Sequence, residues 1–378
     1  MAVYDAGVLG LGAMGSFACL ELARRGASVI GIDQFAPPHD RGSHSGDTRV
    51  FRTAYAEHPD YVPLAVRSGM LWDELGRQAG KALLTRCGML SMGPPSSGLI
   101  AGIRRSSALH KLRIERLAAP EIRKRYPAFL PPENWVGLFG PAAGWVDVNA
   151  ALGYALEQSR AAGSELLLDT PVLRWEARGA DFTVHCPDRT LTVRKLVLAA
   201  GAWAGQLLAG LGLPLKILRK ALVWVEPSRP EHFAPGRLPV FAFAREFFYG
   251  FPAAKKGVKL AIHEGGGRAV PDLGSPAPPP DTEDVGDVLA LASRLLDGLG
   301  TRITQAKTCL YTMTPDEHFI LDRHPQLENL SFGAGFSGHG FKFAPVIGEI
   351  LADLALEGRT NLPAGFLSLK GRFGATVA

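Results

Sequence analysis

Residues 7–33 constrain this chain more than any other stretch. They read GVLGLGAMGSFACLELARRGASVIGID. Val8 and Leu9 form a short apolar strand that runs into Gly10, Leu11, Gly12, Ala13, Met14 and Gly15. Met14, Phe17, Ala18 and Leu22 then recur at helical spacing, and Gly26 stops the helix. A second apolar strand, Ala27 to Ile32, ends at Asp33. Glycines in this register, with an acid about 20 residues on, predict a dinucleotide-binding βαβ unit. Gly10 permits the tight turn, Gly12 lets the backbone approach a pyrophosphate, and Gly15 lets helix and strand pack closely. The free N–H groups of the helix start suit phosphate. Asp33 suits ribose hydroxyls. The motif by itself does not separate a nicotinamide from a flavin dinucleotide.

The rest of the chain narrows the classes. A length of 378 residues suggests two domains or one composite domain, and 47% hydrophobic with 20% charged residues suits a soluble enzyme. No run of 18 apolar residues occurs, so no spanning helix is expected. The first residues show no basic, apolar leader, and the final Thr376, Val377 and Ala378 are no peroxisomal address, so a cytoplasmic location is expected. The 41 basic and 36 acidic residues are interspersed, which argues against a nucleic-acid footprint. Cys19, Cys87, Cys186 and Cys309 have no CxxC spacing, and the histidines have no HxH or HxxxH spacing. No metal site is expected.

Residues 36–52 are rich in Gly, Ser and Pro and read as a loop over a ligand. Residues 62–79 read as a helix. Asn149 or Asp147 caps a helix reaching Ala162, and strands follow at Glu165–Leu168, Val172–Ala177 and Phe182–His185. Leu196 to Gly201 reads as a buried parallel strand whose end faces the nucleotide. Residues 216–263 alternate as an antiparallel sheet, with Lys259, Ala261 and His263 on one face of a strand. A Gly/Pro-rich loop spans 264–281, and Thr282 caps a helix running to about Leu299. A second glycine turn, residues 333–340, precedes an apolar helix opened by Pro345 and stopped by Gly358. Its positive end would stabilise negative charge on a ligand. The fold class is therefore α/β, with two discontinuous domains. Segments 1–82, 146–215 and 310–378 form a Rossmann-like nucleotide domain. Segments 83–145 and 216–309 form an antiparallel-sheet substrate domain.

Several long motifs carry a resemblance. GSHSGDTRVFR (42–52), YVPLAVRSGMLWDEL (61–75), YGFP (249–252), CLYTMTPDEHFILDRHP (309–325) and GFSGHGFKFAP (335–345) occur in order. The chain resembles the monomeric sarcosine oxidase family, which includes N-methyltryptophan oxidase and pipecolate oxidase, within the glutathione-reductase-like flavoproteins. The resemblance implies FAD bound by Gly10, Gly12, Ala13, Met14, Gly15, Asp33 and Gln34. It places Ser43, Thr48 and Arg49 across the flavin, and Val172, Gly201, Trp203, Gly338, Gly340, Phe341 and Lys342 along it. It implies a covalent bond from Cys309 to the flavin 8α carbon, Arg52 and Lys342 as the grip on a substrate carboxylate, and Lys259 beside flavin N5 in the reaction with O2. Tyr249, His263 and Tyr311 match pocket-lining positions. The family often carries a second histidine where this chain has Ser45, which bears on polarity around the flavin.

The implied activity is oxidation of a secondary α-amino acid, N-methyl or cyclic. Hydride passes to flavin N5, and O2 is reduced to H2O2. Such an enzyme needs no strong base if cations at the site hold the bound amine neutral. A monomer is implied, with no nucleic-acid or membrane partner. An NAD-linked amino-acid dehydrogenase and a non-oxidase flavoprotein subunit remain as alternatives.

Overall fold

A computed structural model describes residues 3–270, 272–274 and 277–373. Thr376–Ala378, together with Pro271, Ser275 and Pro276 of the Gly/Pro-rich loop, lie outside the described residues.

The first sheet is eight-stranded. Val3–Leu9 pairs in parallel with Val29–Ile32 on one side and Thr190–Leu198 on the other. Glu165–Leu167 extends it beyond Val29–Ile32, and Leu330–Ala334 pairs in parallel with the end of Thr190–Leu198. Val29–Ile32 is buried throughout, as its unbroken apolar run requires of a strand covered on both faces. The helix Ala13–Arg24 lies on this sheet with Met14, Phe17, Ala18 and Leu22 buried as the spacing predicts. Helices Val148–Ala161 and Ala344–Glu357 pack beside it. Phe17 meets Trp72 of helix Tyr61–Gln78 edge-on, 5.2 Å between ring centroids.

The second sheet is nine-stranded. Its order runs Arg268–Ala269, Lys216–Pro227, Val258–Ile262, Phe248–Gly250, Val240–Phe243, Met89–Gly93, Val136–Gly140, Glu115–Ala118. The long strand Leu299–Met313 also pairs with Lys216–Pro227. One face carries Val223, Val225, Leu260, Phe241 and Phe243, packed under helix Thr282–Leu295 through Val288, Leu291 and Leu295. The opposite face carries Leu222, Trp224, Ala261, Cys309 and Tyr311. Lys259 stands in register with Trp224, and Tyr249 with Ala261, so both belong to this second face.

Several expectations need correction. The second sheet is not antiparallel throughout: Val240–Phe243 and Met89–Gly93 run parallel. The two strands come from distant segments, so no hairpin forces them antiparallel. Part of the 36–52 loop is a strand, Thr48–Phe51, paired with Gly144–Asp147 in a third, three-stranded sheet. The helix expected from Thr282 to Leu299 is capped by Asp281, whose carboxylate accepts from Glu283 N and Asp284 N, and ends at Leu295. Leu299 instead begins a strand after Gly298, whose φ is 76°. The strand expected at Leu196–Gly201 ends at Leu198, and Gly201–Trp203 is a single 3₁₀ turn. The strand expected from Val172 begins at Arg174, because Leu173 N bonds His185 O only as the pairing starts. Of the two candidate caps, Asp147 is the one used; it accepts from Ala150 N at 2.9 Å. Among the described residues no helix is long and apolar enough to cross a membrane, and no cluster of three metal-ligating side chains occurs.

Candidate active site

The C-terminal ends of the parallel strands open into a cavity. In open α/β sheets ligands bind at this end of the strands. Gly10, at φ 91°, follows the first strand directly, and a side chain there would strike Ala199 O at 2.6 Å. A side chain at Gly15 would come within 1.7 Å of Gly10 O. These two glycines are thus fixed by backbone packing. Gly12 lines the cavity, and a Cβ there would make only ordinary contact with His44 Nδ1 at 3.6 Å. No side chain caps the helix start, which leaves its N–H groups for a ligand.

Asp33 follows the second strand. Its Oδ2 accepts from Leu11 N at 2.6 Å and its Oδ1 from Phe35 N at 2.9 Å. Burial pushes its pKa up to about 6 against these two bonds. Gly10, Gly12, Ala13, Met14, Asp33, Gln34, Ser43, Arg49, Val172, Gly201, Trp203, Gly338, Gly340 and Phe341 all line this cavity. Gly15, Thr48, Cys309 and Lys342 do not. Gly15 acts through packing, and Thr48 accepts from Lys259. The Cys309 sulfur lies 3.5 Å from Ser43 O, with an Arg49 N–H donating to it at 3.3 Å. Ser45 is buried and lines neither this cavity nor the next, so it reaches a ligand only through its neighbours.

A second cavity shares Arg49, Tyr311, Gly338 and Phe341 with the first. Arg52, Lys342, Tyr249 and His263 also line it. Gly338 has φ 77°, and a Cβ there would meet the Tyr311 ring at 2.2 Å, so only glycine lets the turn approach that ring. The turn is held from behind: Lys342 O accepts from Ser68 Oγ at 2.6 Å and from Trp72 Nε1 at 2.9 Å. This points the Lys342 side chain inward, where its Nζ donates to His339 O at 2.5 Å and to Tyr55 OH at 3.4 Å. Burial and the Arg52 charge hold Lys342 well below the usual lysine range.

Arg52 is buried, lies 4.3 Å over the Tyr55 ring, and donates from Nη2 to Glu57. Its Nη1 is buried without a partner, as is Glu57 Oε2. Burial alone would raise Glu57, yet Arg52, with His339 and Lys342, holds it below the ordinary carboxylate range. His339 Nε2 donates to Glu317 O at 3.0 Å, so its Nδ1 accepts from Tyr55 OH at 2.6 Å. Tyr55 then offers its oxygen to Lys342. Burial lowers His263 to about 4, so its ring is neutral at pH 7; its Nδ1 lies 3.1 Å from Tyr311 OH.

Lys259 lines neither cavity. Its Nζ donates to Gly46 O and Thr48 O, each at 2.7 Å, and to Thr48 Oγ1 at 3.3 Å, under Arg49 and Trp224. Sequence reasoning missed Phe35, His39, His44 and Gln206 in the first cavity, Met89, Phe247 and His339 in the second, and Tyr55 and Glu57 behind it. His39 and His44 fall in the loop read as lying over a ligand. Tyr55 and Glu57 carry no local signal.

The first cavity thus offers a phosphate-seeking helix start and a ribose-seeking acid. The second offers three guanidinium or ammonium groups, one with a buried free N–H, which suits a small anion. Comparison with known proteins identifies the family. The family profile described as FAD dependent oxidoreductase matches residues 5–354. The chain is 39% identical over 373 residues to the monomeric sarcosine oxidase of Streptomyces avermitilis, covering 96% of each protein. It is 34% identical over 374 residues to the N-methyl-L-tryptophan oxidase of Yersinia pestis, covering 97% of this chain and 98% of the relative. The solved structure of NikD, an amino acid oxidase, superposes with a TM-score of 0.85 at 24% identity over 97% of this chain and 98% of that one, a likeness of fold. The family match decides between the two dinucleotides that the glycine motif left open, and the chain belongs to the DAO family of FAD-dependent oxidoreductases.

Proposed function

We propose that this chain oxidises secondary α-amino acids, N-methylated or cyclic, to the imine, with O2 as final acceptor and H2O2 as product. The observation that carries this reading is the second cavity: Arg49, Arg52 and Lys342 converge on one small space that opens onto the nucleotide cavity. The relatives support it, being a sarcosine oxidase and an N-methyltryptophan oxidase by name.

FAD would lie in the first cavity, with its pyrophosphate on Gly12 and the helix start and its ribose on Asp33. When bound, it accepts two electrons from the substrate and passes them to O2. Arg52 and Lys342 hold the carboxylate, Arg52 through Nη1. The three cations lower the pKa of the bound amine by like charge, so the neutral amine is present without a dedicated base. Neutral His263 and Tyr311 wall the site without adding charge. The helix Ala344–Glu357, entered through the 3₁₀ turn Phe341–Phe343, directs its positive end at the cavity wall and favours an anionic reduced ligand. We assign Lys259 to the oxygen step, acting from behind the cavity wall, where Gly46 O and Thr48 O hold its Nζ.

We further assign Cys309 as a covalent tether to the flavin. Its sulfur sits behind Ser43 and Arg49, 3.5 Å from Ser43 O, with an Arg49 N–H donating to it at 3.3 Å. Segments 1–82, 146–215 and 310–378 serve FAD, and 83–145 and 216–309 serve the substrate, in a monomer. The last boundary falls within Leu299–Met313, where Leu310, Tyr311 and Thr312 line the nucleotide cavity. An oxygen-electrode screen of secondary amino acids against matched amines lacking the carboxylate tests the reading. Oxygen uptake and peroxide should appear with the amino acids alone. Equal rates with and without the carboxylate would refute it, and flavin colour with no oxygen uptake would mark a non-oxidase flavoprotein.

A further inference from the structure

A separate space lies behind the carboxylate grip. Arg52 and Met89 line the substrate cavity and also line this further cavity. The floor of this third space is the same sheet face that carries Tyr249. Tyr249 stands in register with Ala242, Ala242 with Ser91, and Ser91 with Leu138. Ser91 and Leu138 belong to the floor. The floor therefore begins two strands beyond Tyr249, roughly 10 Å away at the usual strand spacing.

The space exists because small residues, Ala54, Gly140 and Ala143, stand where larger side chains would close it. Its remaining walls are mostly aliphatic, Ile103, Leu112 and Ile114 among them. The partition from the substrate cavity is made of two long side chains, of which Arg52 is held in place by Glu57 and the Tyr55 ring. Met89 is an adaptable thioether, and Arg52 is the residue with a buried, unpartnered N–H. An amino acid whose carboxylate rests on Arg52 would have its α-carbon at this partition. N-methylglycine has no side chain to place beyond it.

We propose that this cavity is a side-chain subsite, and that the substrates are secondary α-amino acids carrying a large apolar side chain. This rests on the functional reading above and names its substrate class. The aliphatic walls select hydrocarbon, and burial against them discriminates by size.

The test is peroxide-coupled initial rates on the FAD-loaded enzyme with N-methylglycine, N-methyl-L-alanine, N-methyl-L-leucine and N-methyl-L-phenylalanine. At roughly fourfold per buried methylene, kcat/KM for N-methyl-L-leucine should exceed that for N-methylglycine by about tenfold or more. Ala143→Leu fills the cavity and should lower that ratio about tenfold. Ala143 is buried, so Ala142→Trp, at an exposed position on the same cavity, provides a variant that does not burden the core; the ratio should fall there as well. N-methylglycine preferred over every larger homologue would overturn the subsite and leave the functional reading standing. Equal losses for all four substrates in both variants would also overturn it, making the cavity a passage to the site. No turnover of any secondary amino acid would overturn the functional reading and the subsite with it.

Discussion

Arg52→Ala removes two things at once, and the structure says how to separate them. Arg52 Nη2 neutralises Glu57, whose side chain is only 22% exposed, while Nη1 is left for a ligand. Loss of the guanidinium leaves Glu57 without its nearest counter-charge, and breaking a buried pair from one side costs about 3–5 kcal/mol. Loss of Nη1 removes a charge-assisted bond to the carboxylate worth about 1.5–3 kcal/mol, or roughly 10- to 150-fold in apparent affinity. The stability term depends on pH. In the wild type Glu57 is lowered from its ordinary 4.5, so its ionised form stabilises the protein above that value. That contribution fades as pH falls through the lower folded value. In Arg52→Ala burial is no longer opposed by Arg52 and the Glu57 pKa rises. The deficit in thermal midpoint should therefore be largest at pH 7 and shrink toward pH 5, where Glu57 takes up a proton. Adding Glu57→Gln should restore much of the midpoint and none of the affinity. Thermal melts at the two pH values, with Michaelis constants for a panel of amino acids, read both effects. An unchanged Michaelis constant in Arg52→Ala would refute the carboxylate assignment. A stability loss independent of pH and untouched by Glu57→Gln would refute the electrostatic one.

Three further outcomes are expected. Lys259→Met should leave anaerobic flavin reduction by substrate largely intact and slow reoxidation by O2 by orders of magnitude in stopped flow, as loss of a preorganised cation would; normal reoxidation would exclude the role. Acid precipitation should leave the yellow colour with the protein, while Cys309→Ala releases it; flavin wholly in the wild-type supernatant would show that no covalent bond forms. Asp33, raised to about 6, should make the apoprotein more stable as pH falls from 7 toward 5, because the folded state takes up a proton that the unfolded chain, at 3.8, takes up only lower. FAD should flatten this slope, since ribose hydroxyls donating to Asp33 favour its charged form; equal slopes with and without FAD would contradict the assignment.

The nucleotide end was legible because its constraints are local and written in the backbone. Gly10 and Gly15 are where they are because no side chain fits against Ala199 O and Gly10 O. The face holding Lys259, Ala261 and His263 was legible from alternation in the same way. The bonds that tie Lys259 to Gly46 O and Thr48 O were not, since they join loop and sheet across some two hundred residues of chain. Tyr55 and Glu57 were invisible for a related reason. Their chemistry comes from burial beside Arg52, Lys342 and His339, which helix Tyr61–Gln78 and the second glycine turn create together. The parallel pairing of Met89–Gly93 with Val240–Phe243 was also hidden, because alternation is the same in both directions of pairing.

In the proposed reaction, electrons from a secondary amino acid reach bound FAD and then O2. Mixing the purified yellow enzyme anaerobically with N-methyl-L-leucine or N-methylglycine, while following the visible flavin absorbance, tests it most directly. At least one of them should bleach the flavin, and the colour should return on admitting O2, with one H2O2 formed for each imine. A flavin that stays oxidised with every secondary amino acid offered, in protein that carries its full complement of FAD, would contradict it.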